Sequence, residues 1–281
     1  SKVASTWRSR QQLGDDLWQH GIIGLEGVDS RELTLHIRRA GAMKAVISTV
    51  DLDPASLAAK AKASRGLVGV DLVSEVSIDK KYIWSPKSPR YRVVVLDCGV
   101  KYNILRCLMQ RGCSAVVVPA ATPAQEILRL KPDGVLLSNG PGDPAAVTYV
   151  VETVKGLIGR VPIFGICLGH QMIGLAMGAK TFKLKFGHHG ANHPVKDLSS
   201  GKVYITSQNH GFNVDVASLN SASVEATHLN LNDQTLEGLR HKKYPLFSVQ
   251  FHPEASPGPR ESEYLFDEFV SMIAKFKKKA A

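Results

Sequence analysis

Residues 161–171 read Val-Pro-Ile-Phe-Gly-Ile-Cys-Leu-Gly-His-Gln. An apolar run enters Gly165-x-Cys167-x-Gly169 and leaves through Met172, Ile173, Leu175 and Ala176. This is the thiol version of the Gly-x-Ser-x-Gly strand-turn-helix elbow. Such a turn lifts one side chain above a sheet edge, and the flanking glycines let the turn approach neighbouring backbone. The cysteine then stands at a helix N-terminus, where the dipole favours negative charge, and the thiolate is the nucleophilic form. Most free cysteines are buried and inert. Cys98, Cys107 and Cys113 fit that description, at a strand end, on an apolar helix face and in a turn. Cys167 is set apart by its glycines and the helix that follows.

A cysteine nucleophile needs a base, and the base needs a group to orient it. Pro245–Phe251 reads as a strand that ends in His252-Pro253-Glu254. In an extended chain, residues two apart share a face, so His252 and Glu254 are expected to project together toward Cys167. The chain holds ten histidines, and the carboxylate two residues on distinguishes this one. The order Cys, His, Glu, with the base 85 residues after the nucleophile, matches neither papain-like nor caspase spacing.

These groups need a scaffold. From Tyr91 onward, β-branched runs alternate with amphipathic segments: strands at 92–97, 114–118, 134–138 and 161–166, helices at 102–110, 123–130 and 145–158. Alternation of this kind predicts right-handed crossovers and an open, doubly wound, mostly parallel sheet. Ligands in such sheets bind at the carboxyl ends of the strands. After Gly178 the pattern turns strand-rich, with runs at 181–186, 203–207, 223–228, 234–240 and 246–251, and a closing helix over 260–276. Ahead of all this, residues 1–84 read as a smaller α/β segment, with helices at 6–18, 30–39 and 54–63 and a strand at 45–49. Lys80, Lys81, Pro86, Lys87, Pro89 and Arg90 predict an exposed stretch, with a linker at 85–90 and the main domain over 91–281.

Phe164–Gln171 and Phe251-His-Pro-Glu-Ala-Ser-Pro-Gly-Pro259 resemble the class I, triad glutamine amidotransferases. Ser138-Asn-Gly-Pro-Gly-Asp-Pro144, Lys185-Phe-Gly-His-His-Gly-Ala-Asn-His-Pro-Val195 and Ser207-Gln-Asn-His-Gly-Phe212 narrow the likeness to the small, glutamine-hydrolysing subunits of carbamoyl-phosphate synthetase. The resemblance covers essentially the whole chain. It implies Cys167 as nucleophile, His252 as base and Glu254 as orienter. It implies an oxyanion hole from the Gly140 and Leu168 amides, with donors set where negative charge develops. Gly140 and Gly142 would line the glutamine site. Gln171, one helical turn past Cys167, would bind the substrate, and Asn209, Gly211 and Phe212, at a strand end, would hold its α-carboxylate and α-amine. The partners implied are L-glutamine and a large synthetase subunit that carries ATP and magnesium, with no cofactor on this chain. The family's first domain is longer by roughly a hundred residues at its N-terminus, judged on domain-size grounds. The resemblance thus implies a chain that opens inside that domain, with one glutamine-contacting serine outside it.

The rest of the sequence narrows the alternatives. In 281 residues, 44% are hydrophobic and 21% charged, enough apolar material for a core. Four cysteines without a Cys-x-x-Cys suggest neither a disulfide scaffold nor zinc, and fit a reducing cytoplasm. The net charge of +10 could attract nucleic acid. The basic residues are spread, however, and the run Lys275, Lys277, Lys278 and Lys279 closes a helix, where cations suit the dipole. Neither a nucleic-acid nor a membrane partner is expected. His188, His189 and His193 match no zinc spacing, so a structural or interdomain role is expected and no metal site. Gly178-Ala-Lys-Thr181 lacks the glycine a P-loop needs before its lysine. Two other functions fit the same residues: a stand-alone γ-glutamyl hydrolase, and an inactive homologue that serves in assembly.

Overall fold

The structure is a computed structural model that describes residues 3–5, 7 and 9–280. The chain divides into two compact units between Gly66 and Leu67.

The first unit carries α1 (Leu13–Gln19), α2 (Ser30–Ala40) and α3 (Pro54–Ala63). Asp29 caps α2 by accepting from the Arg31 and Glu32 amides, and Asp53 caps α3 ahead of Pro54 at its first turn. In the expected helix at 6–18, Thr6 and Arg8 lie outside the described residues, and α1 begins only at Leu13. Residues 45–49, expected as a strand, are irregular. A strand needs a partner, and among the described residues this unit holds no other extended segment paired in a sheet.

The second unit contains, in order, α4 (Val73–Val76), β1 (Tyr82–Trp84), β2 (Tyr91–Asp97), α5 (Tyr102–Gln110), β3 (Cys113–Pro119), α6 (Ala124–Arg129), β4 (Gly134–Leu137), α7 (Thr148–Leu157), β5 (Ile163–Ile166) and α8 (Leu168–Ala176). It continues with β6 (Thr181–Asp197), β7 (Val203–Val214), β8 (Val224–Asn230), β9 (Leu236–His241), β10 (Leu246–Val249) and α9 (Tyr264–Ala280). The ten strands form one sheet in the order β1-β3-β2-β4-β5-β10-β9-β8-β6-β7. From β3 to β10 the pairs are parallel; β1 and the wing from β9 to β7 pair antiparallel. The α/β class holds, and the parallel arrangement belongs to the half that carries the elbow.

The residues expected as a linker, 85–90, connect β1 to β2 inside this unit. Tyr82 pairs with Val117 across β1 and β3, and the Ile78 amide donates to Asp97 Oδ2 at 3.0 Å. The two prolines mark a connection between strands of one sheet.

Alternation along β2 sends Val93 and Val95 to one face, Val94 and Leu96 to the other. Val93 and Val95 join Ile104, Leu105 and Leu108 of α5 with Phe266, Phe269 and Ile273 of α9. Val94 and Leu96 join Ile127 of α6, Val150 and Val154 of α7, and Met172 and Ile173 of α8. Both faces are covered, which is why these strands read as unbroken apolar runs. Among the described residues, no helix is long and apolar enough to cross a membrane.

Candidate active site

Cys167 follows the last residue of β5 and caps α8. Its backbone sits at φ 54°, ψ −103°, a conformation that costs energy for any residue with a Cβ. Surrounding bonds hold it there. The Cys167 amide donates to Val249 O at 2.9 Å, and the next turn is tied to the sheet where Gly169 N–H donates to Ser138 O at 3.2 Å. A Cβ on Gly169 would stand 2.4 Å from Leu137 O, so only glycine lets α8 come this close to β4.

His252 and Glu254 lie beyond β10, which ends at Val249. They do not continue the strand. The chain turns at Pro253, with the Ala255 amide donating to His252 O at 3.1 Å. The turn brings the two side chains together, His252 Nδ1 donating to Glu254 Oε1 at 2.7 Å. The expected pairing is found, by a different geometry from the extended one inferred for it. Glu254 is fully buried. Burial alone would push its pKa up, but the His252 ring and the Lys101 ammonium hold it below its ordinary value. For His252, burial opposes the charged form, and the negative charges of Cys167 and Glu254 outweigh it, pushing the ring up to about 10. The other ring nitrogen, Nε2, has no hydrogen-bond partner among the described residues. His252 and Cys167 line the same cavity, of about 720 Å³.

That cavity also takes in Gly140, Gly142, Gln171, Asn209, Gly211 and Phe212. Gly140 lies in the loop after β4. A Cβ there would come 2.1 Å from Cys98 O, so the bare backbone is a steric requirement. Ser138 and Asn139 fix the loop: Ser138 Oγ accepts from Cys98 N at 2.9 Å, and Asn139 Oδ1 accepts from Lys101 N at 3.1 Å. Leu168 is the first residue of α8, where a helix offers its N–H no acceptor one turn back. Asn209, Gly211 and Phe212 stand within β7 and not at a strand end as expected; Asn209 pairs with His189 and Phe212 with Lys183 of β6, and Gly211 lies at the register shift between them. Asn209 O lies 3.9 Å from Cys167 Sγ. The Gln171 side chain is buried and donates to Phe212 O at 2.8 Å.

Three residues of this neighbourhood escaped the sequence reading. Lys101, before α5, places Nζ 3.0 Å from Glu254 Oε1. Asn103 donates to Glu254 O at 2.5 Å. Gln250 donates to Cys167 Sγ at 3.7 Å. Lys101 and Asn103 follow β2, and Gln250 follows β10, all at the carboxyl ends where ligands bind in such sheets. That rule was the one available signal.

The other three thiols are buried away from this cavity, and burial pushes Cys107 and Cys113 up to about 11 and Cys98 up as well. His188, His210 and Glu237 bring ligand-type atoms within 4.8 Å of one another. Those atoms already have partners. Glu237 accepts from Gln208 and Asn230 at 2.9 Å each, His210 bonds Phe212 O and Gln208 Oε1, and His188 bonds Asp233. The cluster reads as a hydrogen-bonded network that joins β6, β7 and β9. The His193 ring packs against that of His188, with centroids 5.2 Å apart, while His189 turns to Asn209 Oδ1 at 3.1 Å. Gly178–Thr181 lies past the C-terminus of α8, away from the helix N-terminus a P-loop would need.

The class-I glutamine amidotransferase family profile matches residues 94–272, and that of the carbamoyl-phosphate synthase small chain, CPSase domain, matches residues 1–47. The carbamoyl phosphate synthase small chain of Syntrophotalea carbinolica is 51% identical, over 96% of this chain and 75% of that one. The small chain of Chlorobaculum tepidum is 52% identical over 99% and 76%. The chain belongs to the carbamoyl phosphate synthase small chain family. It is a glutamine amidotransferase. The small chain of Bacillus caldolyticus, 50% identical over 98% of this chain and 74% of its own, agrees. A solved structure described as that of a GMP synthase subunit from Thermoplasma acidophilum superposes with a TM-score of 0.60 at 22% identity. It covers 68% of this chain and 97% of that one. This last likeness speaks for the fold alone.

Proposed function

We propose that this chain hydrolyses glutamine for a carbamoyl-phosphate synthetase, and that Cys167, His252 and Glu254 carry out the reaction. The observation that carries the reading is the His252–Glu254 bond of 2.7 Å beside a cysteine held on a strained elbow in the same cavity. His252 takes the thiol proton, and the Cys167 thiolate attacks the side-chain amide carbon of glutamine. The Gly140 and Leu168 amides receive the oxyanion. His252 returns the proton to the departing ammonia and leaves a γ-glutamyl thioester on Cys167. The same ring then activates water, which releases glutamate. Glu254 fixes the ring's orientation and supports its positive charge, and Lys101 and Asn103 fix Glu254.

In this reading Gln171, Gly142, Asn209, Gly211 and Phe212 hold the amino-acid end of the substrate. The ammonia passes to a large subunit that uses ATP, magnesium and bicarbonate. The names of the relatives, small chains of carbamoyl phosphate synthase, support such a partner.

The test is carbamoyl-phosphate synthesis by the complex with either nitrogen source. Cys167→Ser is expected to abolish the glutamine-dependent rate and leave the ammonia-dependent rate. Undiminished glutamine hydrolysis by Cys167→Ser would overturn the assignment. A full glutaminase rate without any large subunit would favour a stand-alone hydrolase.

A further inference from the structure

We infer that Gln250 is a positioning residue for the Cys167 sulfur, a neutral donor that favours its thiolate form over the thiol. This rests on the reading of Cys167 as the nucleophile. It adds a residue outside the triad and outside the substrate pocket.

The sheet places the two residues together. β10 and β5 are adjacent and parallel, with Val249 in register with Ile166. The next residue on each strand is Gln250 and Cys167, so the two carboxyl ends carry them side by side. The Cys167 amide is bonded to Val249 O at 2.9 Å, and the Gln250 amide to Glu237 O at 2.8 Å. Both backbones are therefore fixed, and the Gln250 side chain is fully buried.

The direction of the carboxamide follows from a relay. Phe212 O can only accept, so the group that Gln171 turns toward it, at 2.8 Å, is its NH₂. The same NH₂ reaches Gln250 at 3.0 Å, so the near end of Gln250 is its oxygen. The other end, its NH₂, then faces Cys167 Sγ at 3.7 Å. The neighbours of the sulfur divide by protonation state. Asn209 O, at 3.9 Å, can accept from a thiol but offers a thiolate nothing. An N–H donor does the opposite, since an ionised acceptor makes the stronger bond. His252 supplies charge from the side, and Gln250 supplies a donor that cannot leave with a proton.

The probe is iodoacetamide, which alkylates thiolates and needs no glutamine. Its rate at Cys167 is followed by mass spectrometry across pH, with Cys167→Ser marking the site. Gln250→Leu removes the donor. Gln250→Glu keeps the shape and the acceptor for Gln171 but presents an oxygen to the sulfur. In both, the alkylation profile is expected to move to higher pH, by about one unit for leucine and more for glutamate, and the rate near neutrality to fall about tenfold. A purely structural role would lower the melting temperature and leave the profile of the folded protein in place, and that result overturns the inference. Should neither variant fold, the wild-type chain decides. The Gln250 side-chain amide NMR signal must shift with the same pH midpoint as the alkylation, and a signal that stays put refutes the assignment. Glutamine hydrolysis is scored separately on the wild-type complex. If it is present while the variants alkylate normally, only this inference fails. If it is absent while the profile shifts, only the proposed activity fails.

Discussion

Lys101 Nζ stands 3.0 Å from Glu254 Oε1, the same oxygen that receives His252 Nδ1 at 2.7 Å. A carboxylate without solvent exposure is thus held between a lysine and a histidine. The lysine side chain keeps 30% of its accessible surface, so it reaches this oxygen from the edge of the buried site.

Lys101→Met leaves Glu254 with one cation in place of two. The carboxyl pKa then rises, because burial is no longer opposed as strongly. Below that pKa a neutral Glu254 no longer supports the charged ring. The acid limb of kcat/KM for glutamine is expected to move to higher pH, with a loss of about tenfold near pH 6 and less above pH 8. A pH profile of the complex measures it. A uniform loss at every pH would mean that Lys101 acts through folding and not through Glu254.

Glu254→Gln and His252→Asn separate orientation from proton transfer. Glutamine can still accept from His252 Nδ1, so the ring keeps its place and loses only electrostatic support. Asparagine cannot move the proton. The expected losses in kcat are about 10²-fold for Glu254→Gln and about 10⁴-fold for His252→Asn. Steady-state kinetics on both decides, and equal or reversed losses would exchange the roles.

The elbow was readable because its chemistry is local: strand, turn and helix occupy one short stretch, and the glycines that permit it are in the sequence. β2 to β5 were readable because burial on both faces leaves no polar interruptions. What escaped was set by tertiary pairing. Lys101, Asn103 and Gln250 meet Glu254 and Cys167 only because parallel strands end on one edge. β1 was hidden as a three-residue strand before two prolines. β6 was cut short at Phe186, because its register shifts after Lys183 and after Gly190 and breaks the alternation that marks a strand. The His252–Glu254 pair was legible by spacing, though the turn that makes it was not.

Gly169→Ala tests how tightly the elbow is built. The added methyl would lie 2.4 Å from Leu137 O and 2.7 Å from Leu137 Cβ, and rotation of a side chain cannot relieve contact with backbone. Either α8 or β4 must shift. The expected cost is about 3 kcal/mol, read from urea denaturation. Because Cys167 rides on the same turn, glutamine hydrolysis should fall more steeply than the folded fraction. A variant with wild-type stability would mean that the helix and strand are less closely held than the contacts require.

Three buried histidines set the response to acid. Burial, with neighbouring histidines, holds His170 down to about 3. Burial also holds His210 and His228 down to about 4, against the pull of nearby carboxylates. A ring with a lowered folded-state pKa is neutral in the native protein while the unfolded chain binds a proton. Its contribution is therefore complete above about pH 6.5 and is lost as the pH falls toward 4. His252 has the opposite sign. Its raised pKa stabilises fully below about 6.5 and is lost as pH rises through about 10, so it does not change across the acid window. His188, also raised by Glu237 and Asp233 against its burial, behaves in the same way. The neutral rings dominate, at about 1.4 kcal/mol per pH unit each, or about 4 together. Stability from urea denaturation should thus fall steadily from pH 6.5 to 4.5. His170, bonded at Nδ1 to Ser248 Oγ at 2.9 Å, offers the check on a single site: His170→Asn should remove about a third of the slope. A flat profile across this window would mean that these rings take up protons in the folded state.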